Sequence, residues 1–181
     1  MRALSALVRT LEKRTPHFQG HSQAVADLSE KVAAELGLAA VQVRWCRAAG
    51  YLHDIGMIAI PDRIVEKTTA LSPEESAKIQ EHCAIGQEIL QPFPHLGPVP
   101  EYVYLHHERV DGSGYPTGRG GEEIPLCAQI VAAADSYRAL VEPRPFRPAH
   151  SPPEAVEILI GTAGIWHYSE VLKALARVLP A

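Results

Sequence analysis

The sequence predicts an all-α fold, a bundle of helices. Three observations carry that prediction. Apolar residues recur at spacings of three and four along most of the chain, capping boxes mark where helices begin, and nothing longer than the hexamer Gly56-Met57-Ile58-Ala59-Ile60-Pro61 reads as a strand. The length of 181 residues suits one domain, or one domain with a short extension, and 46% apolar against 21% charged residues is a globular balance.

Taken in order, Leu4, Leu7, Val8 and Leu11 predict a short first helix that Thr15-Pro16 breaks. His21, Val25, Leu28, Val32 and Leu36 form the next apolar stripe, closed by Gly37, so His21 faces the core. A third helix carries Val41, Trp45, Ala48, Ala49 and Leu52, runs into His53-Asp54 and stops at Gly56. Ser72-Pro73-Glu74-Glu75 is a capping box with proline at the first helical position; the helix it starts holds Ile79, His82, Gly86 and Ile89 on one stripe, turning His82 inward. A short helix after Pro100 bears Val103, His106 and His107, and a glycine-rich loop follows. Pro125 opens a helix so apolar from Leu126 to Ala134 that it must run through the centre, where Asp135 interrupts it. Ser151-Pro152-Pro153-Glu154 starts a C-terminal pair of helices. Residues 1–15 read as an N-terminal helix packing on or leading into a domain over residues 16–181, without repeats or an interdomain linker.

The net charge of -4 disfavours a DNA or RNA clamp and a polybasic membrane anchor. No apolar run approaches the roughly 18 residues of a membrane span, and the first residues lack a signal-peptide core, so the expected location is the cytoplasm. Cys46, Cys83 and Cys127 stand 37 and 44 positions apart and form no metal or redox pair; they read as buried thiols in a reducing compartment.

Nine histidines are the unusual count. A single inward histidine is ordinarily a core imidazole bonded to a carbonyl. Here His21, His53, His82, His106 and His107 converge on the core with Asp54 and Asp135, and unpaired buried carboxylates are costly, whereas divalent metal satisfies every one of these groups. Imidazole mixed with carboxylate suits Mn, Fe, Co, Ni or Zn rather than a lone Ca or Mg site. The set exceeds the needs of one ion. Two ions bridged by Asp54 are the economical arrangement, and ions about 3.5 to 4 Å apart hydrolyse phosphate esters.

These residues resemble the HD-GYP domains of bacteria, a branch of the HD phosphohydrolase superfamily. The resemblance rests on His21-Ser22, His53-Asp54-Ile55-Gly56, Ile60-Pro61-Asp62, His82 with Gly86, His106-His107-Glu108, Asp111-Gly112-Ser113-Gly114-Tyr115-Pro116, Asp135 and the Arg144-Pro145-Phe146-Arg147 segment. It implies an HD-type helical bundle with a two- or three-metal centre, Fe or Mn, that hydrolyses cyclic di-GMP to pGpG or GMP. It further implies that His21, His53, Asp54 and Asp135 hold one ion and that Asp54, His82, His106 and His107 hold the other, with a metal-bridging hydroxide at Asp54 as nucleophile. Gly114, Tyr115 and Pro116 would shape substrate access and dock partners such as GGDEF-domain diguanylate cyclases, or form a plain glycine-rich turn. Arg144 and Arg147 match basic positions that contact substrate, the alternative being a solvated loop; every basic residue from 79 to 172 is arginine, which suits bidentate phosphate recognition.

Three positions depart from the family pattern. Met57 stands where a lysine is usual, and Arg138 where an acid is usual, so Arg138 is expected to supply the missing charge near the phosphate. The alternative is weakened or lost catalysis, leaving a dinucleotide-binding or protein-docking module; a third reading is a phosphohydrolase for another nucleotide or phosphate ester. His17, one turn before His21, is a candidate ligand for a third ion or an exposed N-terminal residue.

Overall fold

The computed structural model describes residues 2–14, 19–143 and 148–179. Ten α-helices and three short 3-10 turns make up the described regular structure, without a strand among those residues. The first helix, α1 (Arg2–Arg14), buries Leu4, Val8 and Leu11 on one face. Its C-terminal Arg14 donates to the carbonyls of Ile58 and Ile60 and pairs with Asp62, which straps α1 onto the segment carrying Met57.

The centre is built from α2 (His21–Glu35), α3 (Ala40–Leu52) and α8 (Leu126–Val141). Val25, Leu28 and Val32 form the buried stripe of α2, which ends before Gly37 as expected. From Cys127 to Ala134 every residue of α8 is buried, polar Gln129 included. A helix apolar on all sides has neighbours on all sides, and α8 packs against α2, α3, α7 (Val99–Leu105), α9 (Pro152–Ile160) and α10 (Ser169–Val178).

Several expectations change. The third helix ends at Leu52, with His53 as its cap, and residues 55–59 form a 3-10 turn rather than anything extended. The stripe expected on one helix from Ser72 is split into α5 (Pro73–Gln80) and α6 (His82–Leu90), which leaves His82 as the first residue of its own helix. The capping box itself forms, with Ser72 N–H donating to Glu75 at 2.8 Å and Glu75 N–H to the Ser72 hydroxyl at 3.2 Å. Two cysteines are not free thiols: Cys46 of α3 and Cys127 of α8 are joined as a disulfide across 81 positions of sequence, with Cα atoms 5.2 Å apart. Spacing along the chain carries no signal for such a bond, because the two helices meet only in the fold. Cys83 is the buried free thiol.

Candidate metal centre

Each imidazole is delivered from a helix end. His21 opens α2, His53 caps α3, His82 opens α6, and His106 and His107 follow the last turn of α7. The backbone crossing that brings these ends together depends on Gly56. A Cβ there would lie 2.0 Å from the His82 carbonyl oxygen and 2.6 Å from the Gly86 nitrogen, so only glycine lets the 55–59 turn press onto α6. That contact seats His53-Asp54 opposite His82.

His21, His53, His82 and His106 are at most 2% exposed, while the side chains of Asp54 and Asp135 remain 16% and 18% open. The carboxylates therefore form the mouth of the site. His21 Nε2 stands 3.1 Å from Asp135 Oδ1, and His53 Nε2 stands 3.8 Å from the same oxygen. Asp54 faces both halves: Oδ2 is 3.1 Å from His53 Nε2, and Oδ1 is 3.7 Å from His82 Nε2. The ring centroids of His53 and His106 lie 5.3 Å apart, and those of His106 and His107 lie 4.0 Å apart, so the halves are contiguous.

The rings are oriented by their other nitrogens. Nδ1 of His53, His82 and His106 donates to the carbonyls of Gly50, Ile79 and Val103, each three residues earlier, at 2.8, 2.7 and 2.6 Å. This fixes the tautomer that leaves an Nε2 lone pair facing inward. His21 Nδ1 is held instead by Glu142 Oε2 at 2.8 Å, a carboxylate–histidine pair.

Charge divides the two halves. Burial opposes a charged His21, yet its hydrogen bonds to Asp135 and Glu142 outweigh that and raise its pKa to about 10. Burial likewise opposes ionised Asp54 and Asp135, but the imidazoles of His53 and His21 respectively hold both carboxyls below the usual range. On the other side, burial and the neighbouring imidazoles keep His106 well below its ordinary value and lower His107 to about 4. Burial, with the charges of Asp54 and Glu108, pushes the Cys83 thiol up.

Two buried nitrogens decide whether ions fit. Nε2 of His106 has no hydrogen-bond partner, and Nε2 of His53 faces the Asp54 and Asp135 carboxylates at 3.1 and 3.8 Å without a well-aligned hydrogen bond. Each lies in a different cluster of potential ligands: His21, His53 and Asp54 in one, and His82, Cys83, His106 and His107 in the other, with the ligand atoms of each cluster within 4.8 Å of one another. Two buried imidazole nitrogens without a well-aligned hydrogen bond, one in each of two adjoining clusters, fit a pair of divalent ions.

A model of the HD domain family matches residues 5–171. The chain belongs to the HD domain family. Within it, the motifs from His21 to Asp135 are those of the HD-GYP branch. The chain is 39% identical over 171 residues to a cyclic di-GMP phosphodiesterase of Thermotoga maritima, covering 92% of this chain and 46% of that protein. It is 32% identical over 156 residues to a 3'3'-cGAMP-specific phosphodiesterase of Vibrio cholerae, covering 86% of this chain and 34% of that one. This HD domain thus spans about half or less of the length of these relatives. Among solved structures, an HDG"Y"P protein from Bdellovibrio bacteriovorus superposes with a TM-score of 0.70 at 23% identity, over 87% of this chain and 51% of that chain.

The other expected site residues fall as follows. Tyr115 stacks on His107 with ring centroids 4.7 Å apart, and its N–H donates to the His107 carbonyl at 3.2 Å. A Cβ on Gly114 would lie 2.5 Å from both the His107 oxygen and the Arg109 nitrogen, so the loop closes there because the residue is glycine. Pro116 follows, and Glu108, buried, ties the loop down by accepting from the Thr117 N–H and hydroxyl at 2.6 and 2.7 Å. Arg138 pairs with Glu142 Oε1 at 2.9 and 2.7 Å, so its charge is directed to the carboxylate that holds His21. Met57 is buried against Leu11, Ile60 and Ile64, and with Glu12, Arg14 and Ser22 it lines a pocket reaching Asp54. His17, Arg144 and Arg147 lie outside the described residues.

Glu142 escaped the sequence reading. Glu142 lies seven residues beyond Asp135, just past the end of α8, and that spacing is the one signal that could have found it.

Proposed function

We propose that this HD domain is a metal-dependent phosphodiesterase that hydrolyses cyclic di-GMP to pGpG, GMP or both. The observation that carries the reading is Asp54, whose two oxygens face the imidazoles of two adjoining clusters. His21, His53, Asp54 and Asp135 would hold one divalent ion, and Asp54, His82, His106 and His107 the other, Fe or Mn by family resemblance. Ions so placed supply positive charge to a phosphodiester and lower the pKa of water.

The protein's own part is positioning. Backbone carbonyls and Glu142 fix the rings, Arg138 steadies Glu142, and the partly open Asp54 and Asp135 leave an approach for an anionic substrate. Tyr115, against His107, offers a flat aromatic surface at the edge of the site, suited to a purine. Arg144 and Arg147 are proposed to bind the dinucleotide, His17 to bound a third ion, and the 114–116 loop to meet a diguanylate cyclase. No helix among the described residues is long and apolar enough to cross a membrane. A cytoplasmic location is proposed from the family resemblance.

The likeness to a cGAMP-specific enzyme favours a second reading, in which a mixed cyclic dinucleotide is the better substrate. The test is turnover by protein loaded with Mn or anaerobic Fe(II), offered cyclic di-GMP and 3'3'-cGAMP separately, with products resolved by chromatography. Linear dinucleotide or mononucleotide from cyclic di-GMP supports the proposal. Cleavage of cGAMP alone moves it to the second reading, and tight binding without cleavage of either leaves a binding module.

A further inference from the structure

Cys83 follows His82 in the first turn of α6 and is buried at 0% exposure. Its Sγ lies 3.6 Å from His82 Nε2, within the cluster that includes His106 and His107. An ion bound tetrahedrally to a nitrogen at about 2.1 Å and a thiolate at about 2.3 Å sets those two atoms about 3.6 Å apart. The observed separation matches that of two ligands on one ion. A second feature points to the same spot. His106 is 0% exposed, its Nδ1 is committed to the Val103 carbonyl, and its Nε2 is the unpartnered atom of this cluster.

We propose that Cys83 is a thiolate ligand to the ion held by His82, His106 and His107. The proposal rests on the metal-centre reading above and adds a donor and a preference to it. A thiolate added to Asp54 and three imidazoles makes a softer set than imidazole with carboxylate alone, favouring Zn, Co or Fe(II) over Mn or Mg in this half. On binding, the thiol proton passes to solvent and the sulfur lone pair to the ion.

Cobalt reads the two claims separately. Co(II) is added to chelator-stripped protein; visible d–d absorption reports an ion in the centre, and a thiolate-to-cobalt charge-transfer band in the near ultraviolet reports a sulfur bond. Wild type is expected to show both. Cys83→Ser and Cys83→Ala keep the visible bands, lose the charge-transfer band, and lose at least about tenfold in Zn affinity with little change for Mn. Visible bands without the charge-transfer band in wild type, or that band surviving in both variants, overturns Cys83 as ligand and leaves the metal centre standing. Absence of all cobalt absorption in wild type overturns the metal centre and this proposal together.

Discussion

Glu142 shows how much of the site is decided by single side chains far apart in sequence. One of its oxygens holds His21 Nδ1 at 2.8 Å, and the other takes the Arg138 guanidinium. Partners of this kind orient a metal ligand and raise its basicity, and removing them typically costs 10- to 100-fold in affinity. Glu142→Gln, which keeps size but loses charge, is expected to weaken metal binding by about 10- to 100-fold, measured by competition with a chelator. Arg138→Ala should act in the same direction but more weakly, because Arg138 touches His21 only through Glu142. The imidazoles and their two aspartates were legible in sequence because each stands on an apolar stripe or within a dense motif. Glu142 was missed because its partner His21 lies across the fold, and Arg138 was misjudged because its charge is spent on Glu142 one turn along rather than left free for phosphate.

Among the elements, most helices were readable and their ends were not; the four-residue helix Asp62–Val65 went unread, and α5 and α6 were read as one. The capping boxes at Ser72 and Ser151 both form, since their hydrogen bonds are local. At the break at Glu81, His82 turns its Nε2 toward Asp54 while Nδ1 reaches the Ile79 carbonyl. The 55–59 turn is shaped by its neighbour. Gly56→Ala would set a methyl 2.0 Å from backbone oxygen, which cannot rotate away. About 3 kcal/mol or more of stability should be lost in urea unfolding, and the half of the centre at His82 should bind metal less tightly. The connection between α9 and α10 carries a pH dependence of its own. His167 is buried, with Nδ1 2.9 Å from the Thr162 hydroxyl and Nε2 3.3 Å from that of Ser136, and burial lowers its pKa from 6.5 to about 4. Above pH 6.5 neither folded nor unfolded chain binds this proton; between 6.5 and 4 the unfolded chain takes it and the folded chain refuses. Stability should fall through that window by up to about 3 kcal/mol, and His167→Asn should show a shallower fall in urea midpoint.

At the scale of the whole molecule, an acidic chain with net charge -4 is proposed to act on a doubly anionic dinucleotide. Bound divalent ions would invert the local charge at the mouth formed by Asp54 and Asp135 without altering the rest of the surface. The centre also joins side chains distant in sequence, from His21 to Asp135, so ions that bind only the folded chain should raise its melting temperature as their concentration rises above the dissociation constant. The all-α class, the central burial of α8 and the convergence of the imidazoles were all present in the apolar pattern. The disulfide between α3 and α8 was not, because helix periodicity says nothing about which faces meet. The central claim is that two ions share Asp54. It is tested most directly by metal content per chain, measured by elemental analysis on wild type and on Asp54→Asn after identical loading and desalting. Wild type is expected to hold at least two equivalents and the variant to lose at least one; one equivalent in wild type, or full retention by Asp54→Asn, would contradict a shared Asp54.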